Sequence, residues 1–426
     1  SDSTSDRKLN YMARHVTTTD SDGNAELLCL GLTRPVNHTA AVTHQETVDL
    51  VHGLAETHSS YLDYVEADGS RDLSEHAIRF KDSDWWLNTR ATNSDHASDQ
   101  VLVSEMTYDL KMEYTYRKLG LKAFSELPED QSQALKGIEV QGIARSLGGS
   151  LQWLQLPDEE RLEHLLQARK ATLLRLGKEA FSALPVEEQD DARFFVRAGC
   201  CMHKDLNAVV AANERMMKSW AAAGLEPPMT IFNRDNAATV ALGPSEAADR
   251  AVNASIGGGT KTAQSLGCLL NHPDHKKGAG EPFRLFMNSK LGFRVTIPGT
   301  FQCRFQSTYE MAKFIIRYRD LIIDFLRQIR AMKGTHDFNN LENNIFLALH
   351  DGPTLSELAV LAAYGTAVGR PYMLEVRAKG LVDMMALGPL HQDVIDLCDI
   401  LAQCPELLSA EVTDTGCVAS LDGQPF

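Results

Sequence analysis

Between residues 198 and 210 the chain reads AGCCMHKDLNAVV, with two cysteines, a histidine and an aspartate inside six residues. Each of these side chains ligates metal in a suitable setting. A zinc site would join Cys200 or Cys201 and His203 to distant ligands, and Cys268, His272 and His275 are the ready source. Structural zinc takes four N or S ligands and is usually announced by a repeated Cys-X2-4-Cys spacing. Only half of that set is present, so Zn2+ on Cys200 and His203 is an incomplete match. His203-X-Asp205 also matches part of a two-His-one-carboxylate iron site, completed by a later histidine such as His350 or His391. The chemistry would then be that of an Fe(II)- and 2-oxoglutarate-dependent oxygenase. Such a site needs strands around it, whereas FFVRAGCCMHKDLNAVVAANERMMKSW is helical in composition. The plainer alternative is a Cys and a His packed and hydrogen-bonded within a helical domain.

A second stretch with possible chemistry is GGGTKT at residues 257–262. Its composition suits a phosphate loop, but a residue separates Gly259 from Lys261 and the GX4GK[ST] spacing fails. A turn leading into a helix is the expectation there.

The elements that would position these residues follow from periodicity. Residues 8–17 and 25–32 predict strands joined at an Asp-Gly turn. Thr39 is a suitable N-cap for a helix carrying Val42, Val48, Leu50, Val51 and Leu54. Residues 65–100 read as polar and irregular apart from Trp85-Trp86-Leu87, and residues 101–225 read as almost wholly helical. Within them LGLKAFSELP (119–128) is echoed by LGKEAFSALP (176–185), each ending a helix in Leu-Pro before an acidic cluster. Two copies are too few for a solenoid and indicate a duplicated helical unit. Residues 226–300 are broken by Pro and Gly. A 3.6-residue stripe then runs through Met311, Phe314, Ile315, Tyr318, Ile322, Phe325 and Ile329, and helices follow over 341–365 and 388–409.

The bulk numbers set limits. A chain of 426 residues predicts two or three domains, or one with a large insertion. No apolar run reaches bilayer length, residues 358–368 coming nearest, so no membrane span is expected. The N-terminus is neither basic nor apolar, which gives no signal peptide, and the lack of a first Met fits a fragment. Eight cysteines without repeated spacing point to a reducing, intracellular setting. The net charge of −15 excludes a protein that coats nucleic acid over its whole surface. Residues 281–333 nevertheless hold ten Lys/Arg against four Asp/Glu, a local +6 that suits a confined groove as well as ordinary solvated helix faces.

Cys200-X2-His203 followed by Leu206-Asn207 resembles the Cys-X2-His…Leu-Asn motif in the helical insertion domain of hAT-type DNA transposases, with one extra residue between His and Leu. RFQSTYEM at 304–311 is similar to the Arg-Trp-Asn-Ser-Thr-Tyr-X-Met stretch downstream of that motif. SDHASDQ at 94–100 is similar to the element with the second catalytic aspartate, and GPTLSELAVLAAYG at 352–365 loosely to the segment with the catalytic glutamate. SDSTS at 1–5 stands where the aspartate of the first strand is found. The five matches fall in family order along nearly the whole chain.

The resemblance implies an α/β fold: a ribonuclease H-like mixed sheet interrupted by a large all-α insertion. Residues 1–110 and 336–426 would form the core and residues 111–335 the helical insertion. It implies strand cleavage and transfer by two Mg2+ or Mn2+ ions roughly 3.5–4 Å apart, held by hard carboxylate oxygens. Asp2, Asp95 and Glu357 would be the catalytic residues and metal ligands, with Asp99, Asp235, Glu342 and Glu375 as rivals. Asp95 is preferred to Asp235 because the second aspartate precedes Cys-X2-His, and Asp235 follows it. Cys200 and His203 would then tie the insertion together. DNA is the implied partner, seated on 281–333, with a homo-oligomer and a nuclear location. A truncated or inactive relative, or a non-catalytic helical interaction protein, would keep the fold without the cleavage.

Overall fold

The computed structural model describes all residues except 1, 7–8, 20–21, 35–36, 38, 69–78, 96, 273–277, 300–305, 335–336, 379–386, 409–418 and 424–426. Most of the described chain is helical, and its strands are confined to small sheets. Contacts divide the chain into two units, Ser1–Gly199 and Cys200–Phe426.

The first unit opens with an antiparallel meander of β1 (Asp2–Asp6), β2 (Leu9–Thr19) and β3 (Ala25–Thr33). Met12 and Arg14, two residues apart on β2, are both buried, as a strand's alternation requires. A buried guanidinium needs partners. Arg14 finds them on α1 (Ala40–Asp68), donating to Glu46 Oε2 at 2.9 Å and Thr47 Oγ1 at 3.1 Å. Thr39 stands just before that helix and accepts weakly from Val42 N at 3.5 Å.

The stretch expected to be irregular holds α2 (Asp82–Asn88), built on the buried Trp86, and β4 (Ala91–Ser94). Helices follow: α3 (Ser98–Ser125), α4 (Glu129–Ser146), α5 (Ser150–Gln155), α6 (Asp158–Ser182) and α7 (Val186–Arg193). Pro128, Pro157 and Pro185 stand immediately before α4, α6 and α7, and each first turn is acidic. Proline lacks an N–H that a helix start does not need, and carboxylates favour the positive end of the helix dipole. After α7 the chain forms β5 (Val196–Gly199), which pairs in parallel with β4 from Ala91↔Val196 to Ser94↔Gly199. Residues 95–195, almost all helical, thus lie between two paired strands.

The internal echo acquires a structural meaning here. A Cβ on Gly120 would lie 1.9 Å from Leu173 O, and one on Gly177 would lie 1.8 Å from Tyr116 O. Each carbonyl stands four residues before the glycine of its own copy. Glu113 and Lys170, seven residues before the two glycines, form an ion pair at 2.7 Å. The two copies therefore pack on each other through matching positions, at a distance only glycine permits.

The second unit begins with α8 (Cys201–Ala222), then β6 (Thr230–Ile231), α9 (Arg234–Ala241), α10 (Glu246–Asn253) and β7 (Ile256–Gly257), with β6 and β7 antiparallel. It continues through α11 (Gly258–Leu270), α12 (Gly280–Leu291), α13 (Gln306–Met332), α14 (Asn340–Ala348) and α15 (Gly352–Tyr364). A π-helical turn (Gly365–Gly369) leads into α16 (Arg370–Ala378), and α17 (Gly388–Gln403) follows. The stripe on α13 is the centre of the core: Met311, Phe314, Ile315, Ile322 and Phe325 are buried against α11, α12, α14 and α15. Phe283 of α12 meets Phe325 edge-on at 5.0 Å. Burying each such side chain contributes about 1.5–3 kcal/mol. Tyr318, within the stripe, leaves helical geometry (φ −117°, ψ 19°) and kinks α13.

The mixed sheet expected of a ribonuclease H-like core is not assembled among the described residues. The meander, the β4–β5 pair and the β6–β7 pair are separate sheets. No single helix among the described residues is long and apolar enough to cross a membrane.

Candidate functional site

The Cys-Cys-X-His-X-Asp stretch is the start of α8. Cys200 occupies the cap position, and Cys201 is buried with Tyr372, Met373 and Leu387. Asp205 is 4% exposed, so its carboxylate needs donors from the protein. It receives the Tyr364 hydroxyl on Oδ1 at 3.0 Å and the Tyr309 hydroxyl on Oδ2 at 3.3 Å. Burial, and then the negative charge of Asp205, push both phenols well above their usual range, so both remain donors. The Tyr309 ring lies where Cβ atoms would stand on Gly365 and Gly369, 2.4 and 2.9 Å from their ideal positions. The tyrosine of QSTYEM and the aspartate beside Cys-X2-His, far apart in sequence, thus meet inside one core.

A second polar chain lies beside α16. The Tyr372 hydroxyl is 3.0 Å from His391 Nε2, and Lys204 Nζ is 3.4 Å from the same nitrogen. Burial and the Lys204 charge lower the His391 pKa.

These contacts bear on the metal expectations. Among the described residues no three His, Cys, Asp or Glu side chains converge as a metal site. Cys268 is exposed, and His275 lies outside the described residues. His350 Nδ1 lies 2.7 Å from Phe346 O, and the ring packs on that phenylalanine. Both oxygens of Asp205 are engaged by tyrosines. The stretch joins α8 to α13, α15 and α16, and the described residues supply neither a zinc set nor an iron triad around Cys200, His203 and Asp205.

Glu357, on α15, is 2% exposed. Its Oε2 accepts the Gly259 N–H at 2.8 Å and its Oε1 accepts Trp220 Nε1–H at 2.9 Å. The glycine-rich turn is thus an anion-binding helix start whose anion is the protein's own carboxylate. Gly258 is left-handed (φ +85°), and a Cβ there would lie 2.2 Å from Glu357 Oε2. Its rival Glu342 is also occupied, by the Lys333 ammonium and by Asn339 N–H at 3.0 Å in a capping box. Asp235 and Asp99 sit in the first turns of α9 and α3, and Glu375 lies on α16.

In the first unit, Asp2 is the first residue of β1, opposite Ala13. Asp95 directly follows β4, half-buried, with Oδ1 accepting Ala97 N–H at 3.1 Å. The two stand on different sheets. The opposite end of the β4–β5 pair is held by Lys111, which is 1% exposed. Its ammonium donates to Thr89 O at 2.8 Å and Phe194 O at 3.0 Å, just before the two strands. Burial, reinforced by the Arg90 charge, lowers its pKa to about 8. Sequence reasoning passed over Lys111 because a lysine within a helix reads as a solvated face. The one signal was its place between apolar Leu110 and Met112.

The basic segment is partly neutralised within itself. Arg284 pairs with Glu281, Arg319 with Asp320 and Arg327 with Asp324. Lys290, Arg294, Lys313 and Arg317 stay exposed, without a carboxylate partner among the described residues.

No protein-family profile matches the chain, and comparison with curated proteins and with solved structures found no match.

Proposed function

We propose that this chain is a DNA-binding relative of hAT-type transposases that keeps, around β4 and β5, part of the order of elements of a ribonuclease H-like core. The observation that carries this reading is the parallel β4–β5 pair. A three-stranded meander and a helix precede it, a long helical stretch separates its strands, and Asp95 leaves the carboxyl end of β4. The carboxyl end of a parallel strand is where open α/β sheets place their ligands. A ribonuclease H-like core with a helical insertion would put its second aspartate there. The exposed Lys290, Arg294, Lys313 and Arg317 supply charge for a phosphate backbone. A nuclear site of action and a homo-oligomer belong to the same reading.

The metal set fits less well. Asp95 keeps Oδ2 for Mg2+ or Mn2+ beside the Oδ1 that accepts Ala97 N–H, but Glu357 holds the start of α11 and its two oxygens are taken. The engaged Glu357 favours a second reading, a relative that binds DNA without cutting it.

The test uses the full chain with labelled duplex DNA in Mg2+ or Mn2+, scoring retention and strand cleavage together. Cleavage lost in Asp95→Ala, with the fold retained, supports the enzyme. Salt-sensitive binding without cleavage supports the second reading. No binding at about 50 mM salt removes both.

A further inference from the structure

The turn after α12 exposes an aromatic side chain, Phe293, with a cation on each side of it in sequence. Gly292 ends the helix in the left-handed region (φ +73°), and its N–H donates to Asn288 O at 2.9 Å. The chain then passes through Phe293 and Arg294 to Val295 and Ile297, which are buried in the second unit's core. A hydrogen-bonded cap on one side and two buried anchors on the other fix the tip. Phe293 is nonetheless 51% exposed. Lys290 and Arg294, on either side of it in sequence, are also exposed, and neither has a carboxylate partner among the described residues. The tip lies in the segment of +6 local charge within a chain of −15.

We infer that Phe293 is a stacking platform for an unpaired nucleic-acid base, with Lys290 and Arg294 drawing in the phosphates beside it. The inference rests on the DNA-binding reading and narrows its ligand to nucleic acid with unpaired bases. An aromatic face with flanking cations is the combination that holds single strands, because every base offers a π-face and every linkage a negative charge. Bases within a duplex are already stacked on each other and cannot cover the ring. A backbone anchored on both sides of the ring has little freedom left to lose on binding, so more of the stacking energy appears as affinity.

The experiment measures fluorescence anisotropy of the full chain with two probes at one salt concentration: a 20-base-pair duplex and the same duplex with a three-nucleotide bulge. The bulged probe should bind more tightly than the intact one. Phe293→Ala should weaken bulge binding by roughly 5- to 100-fold, the loss of about one stacked base, and leave duplex binding unchanged. Phe293→Trp should restore it, and Leu285→Ala, which removes an exposed apolar side chain from the neighbouring α12, should have no effect. Equal bulge binding by Phe293→Ala and the parent overturns the platform while leaving the DNA-binding reading intact. Binding of neither probe overturns both.

Discussion

The Glu357 carboxylate accepts the backbone N–H of Gly259 at 2.8 Å, across 98 residues of sequence, and so closes the first turn of α11 from α15. The residue expected to hold a catalytic metal is in this structure the anion of a helix N-terminus. Removing it should unfold before it inactivates. Glu357→Ala leaves the Gly259 N–H and the Trp220 indole N–H without acceptors, at a cost of about 1–3 kcal/mol for each buried group. Denaturant melts should show a clearly lower midpoint. An unchanged midpoint would return Glu357 to the list of candidate metal ligands.

The reciprocal glycines of the first unit give the sharpest stability prediction. Alanine is worth about 1 kcal/mol more than glycine in an open helix. Gly137→Ala on α4, where nothing lies within 4 Å of the added carbon, should therefore stabilise. Gly120→Ala and Gly177→Ala should destabilise by about 2 kcal/mol or more, because a carbonyl oxygen stands less than 2 Å from the new Cβ. Circular dichroism melts of the three variants test the difference in sign. If all three shift upward, α3 and α6 are not in close contact in solution.

Tyr364→Phe removes one of the two hydroxyls seen on Asp205 and should cost about 1–3 kcal/mol. Its sensitivity should fall once Asp205 is already Asn, because the two residues act as one bonded group. A double-mutant cycle in urea reads the coupling directly, and additive effects would mean that the contact carries no energy.

Lys111 predicts a pH dependence. Its pKa is about 8 in the folded chain against an ordinary 10.5, so between those values the unfolded chain binds more protons. Stability from this group therefore rises with pH from about 8 upward, and below 8 the buried charge opposes folding. Tyr114 acts in the opposite sense above pH 10, since its pKa is pushed up to about 12 and its folded-state benefit fades as the phenol ionises. Melting temperatures between pH 8 and 9.5 sample the lysine before the tyrosines titrate, and Cys398, whose thiol burial pushes up, works against the rise in the same window. Lys111→Met should flatten the rise, and an identical slope in the variant would assign it to another group.

Much of the helical architecture was legible in the sequence for a local reason. The α13 stripe repeats every 3.6 residues, so a single helix suffices to sort Met311, Phe314, Ile315 and Ile322 to one side. Leu-Pro followed by carboxylates marks a helix start whatever surrounds it. The break between α14 and α15 falls inside the range 341–365 read as helical; Asp351 caps α15 there by accepting Thr354 N–H, with Gly352-Pro353 behind it. The strands were less legible. β4 is only four residues long and carries no alternation, and its existence depends on β5, some hundred residues later.

The candidate site divides the same way. By itself the sequence determined that residues 200–205 lie in a helical stretch, that 257–262 is a glycine-rich turn and that 281–333 is basic, since these follow from composition and spacing; that a strand, β5, ends just before them it did not show. Only the tertiary structure decided that Asp205 belongs to two tyrosines, that Glu357 fills the glycine-rich turn and that Lys111 joins two strands. A buried charge is defined by the donors and acceptors that surround it, and these are brought together by folding from positions that share no period along the chain.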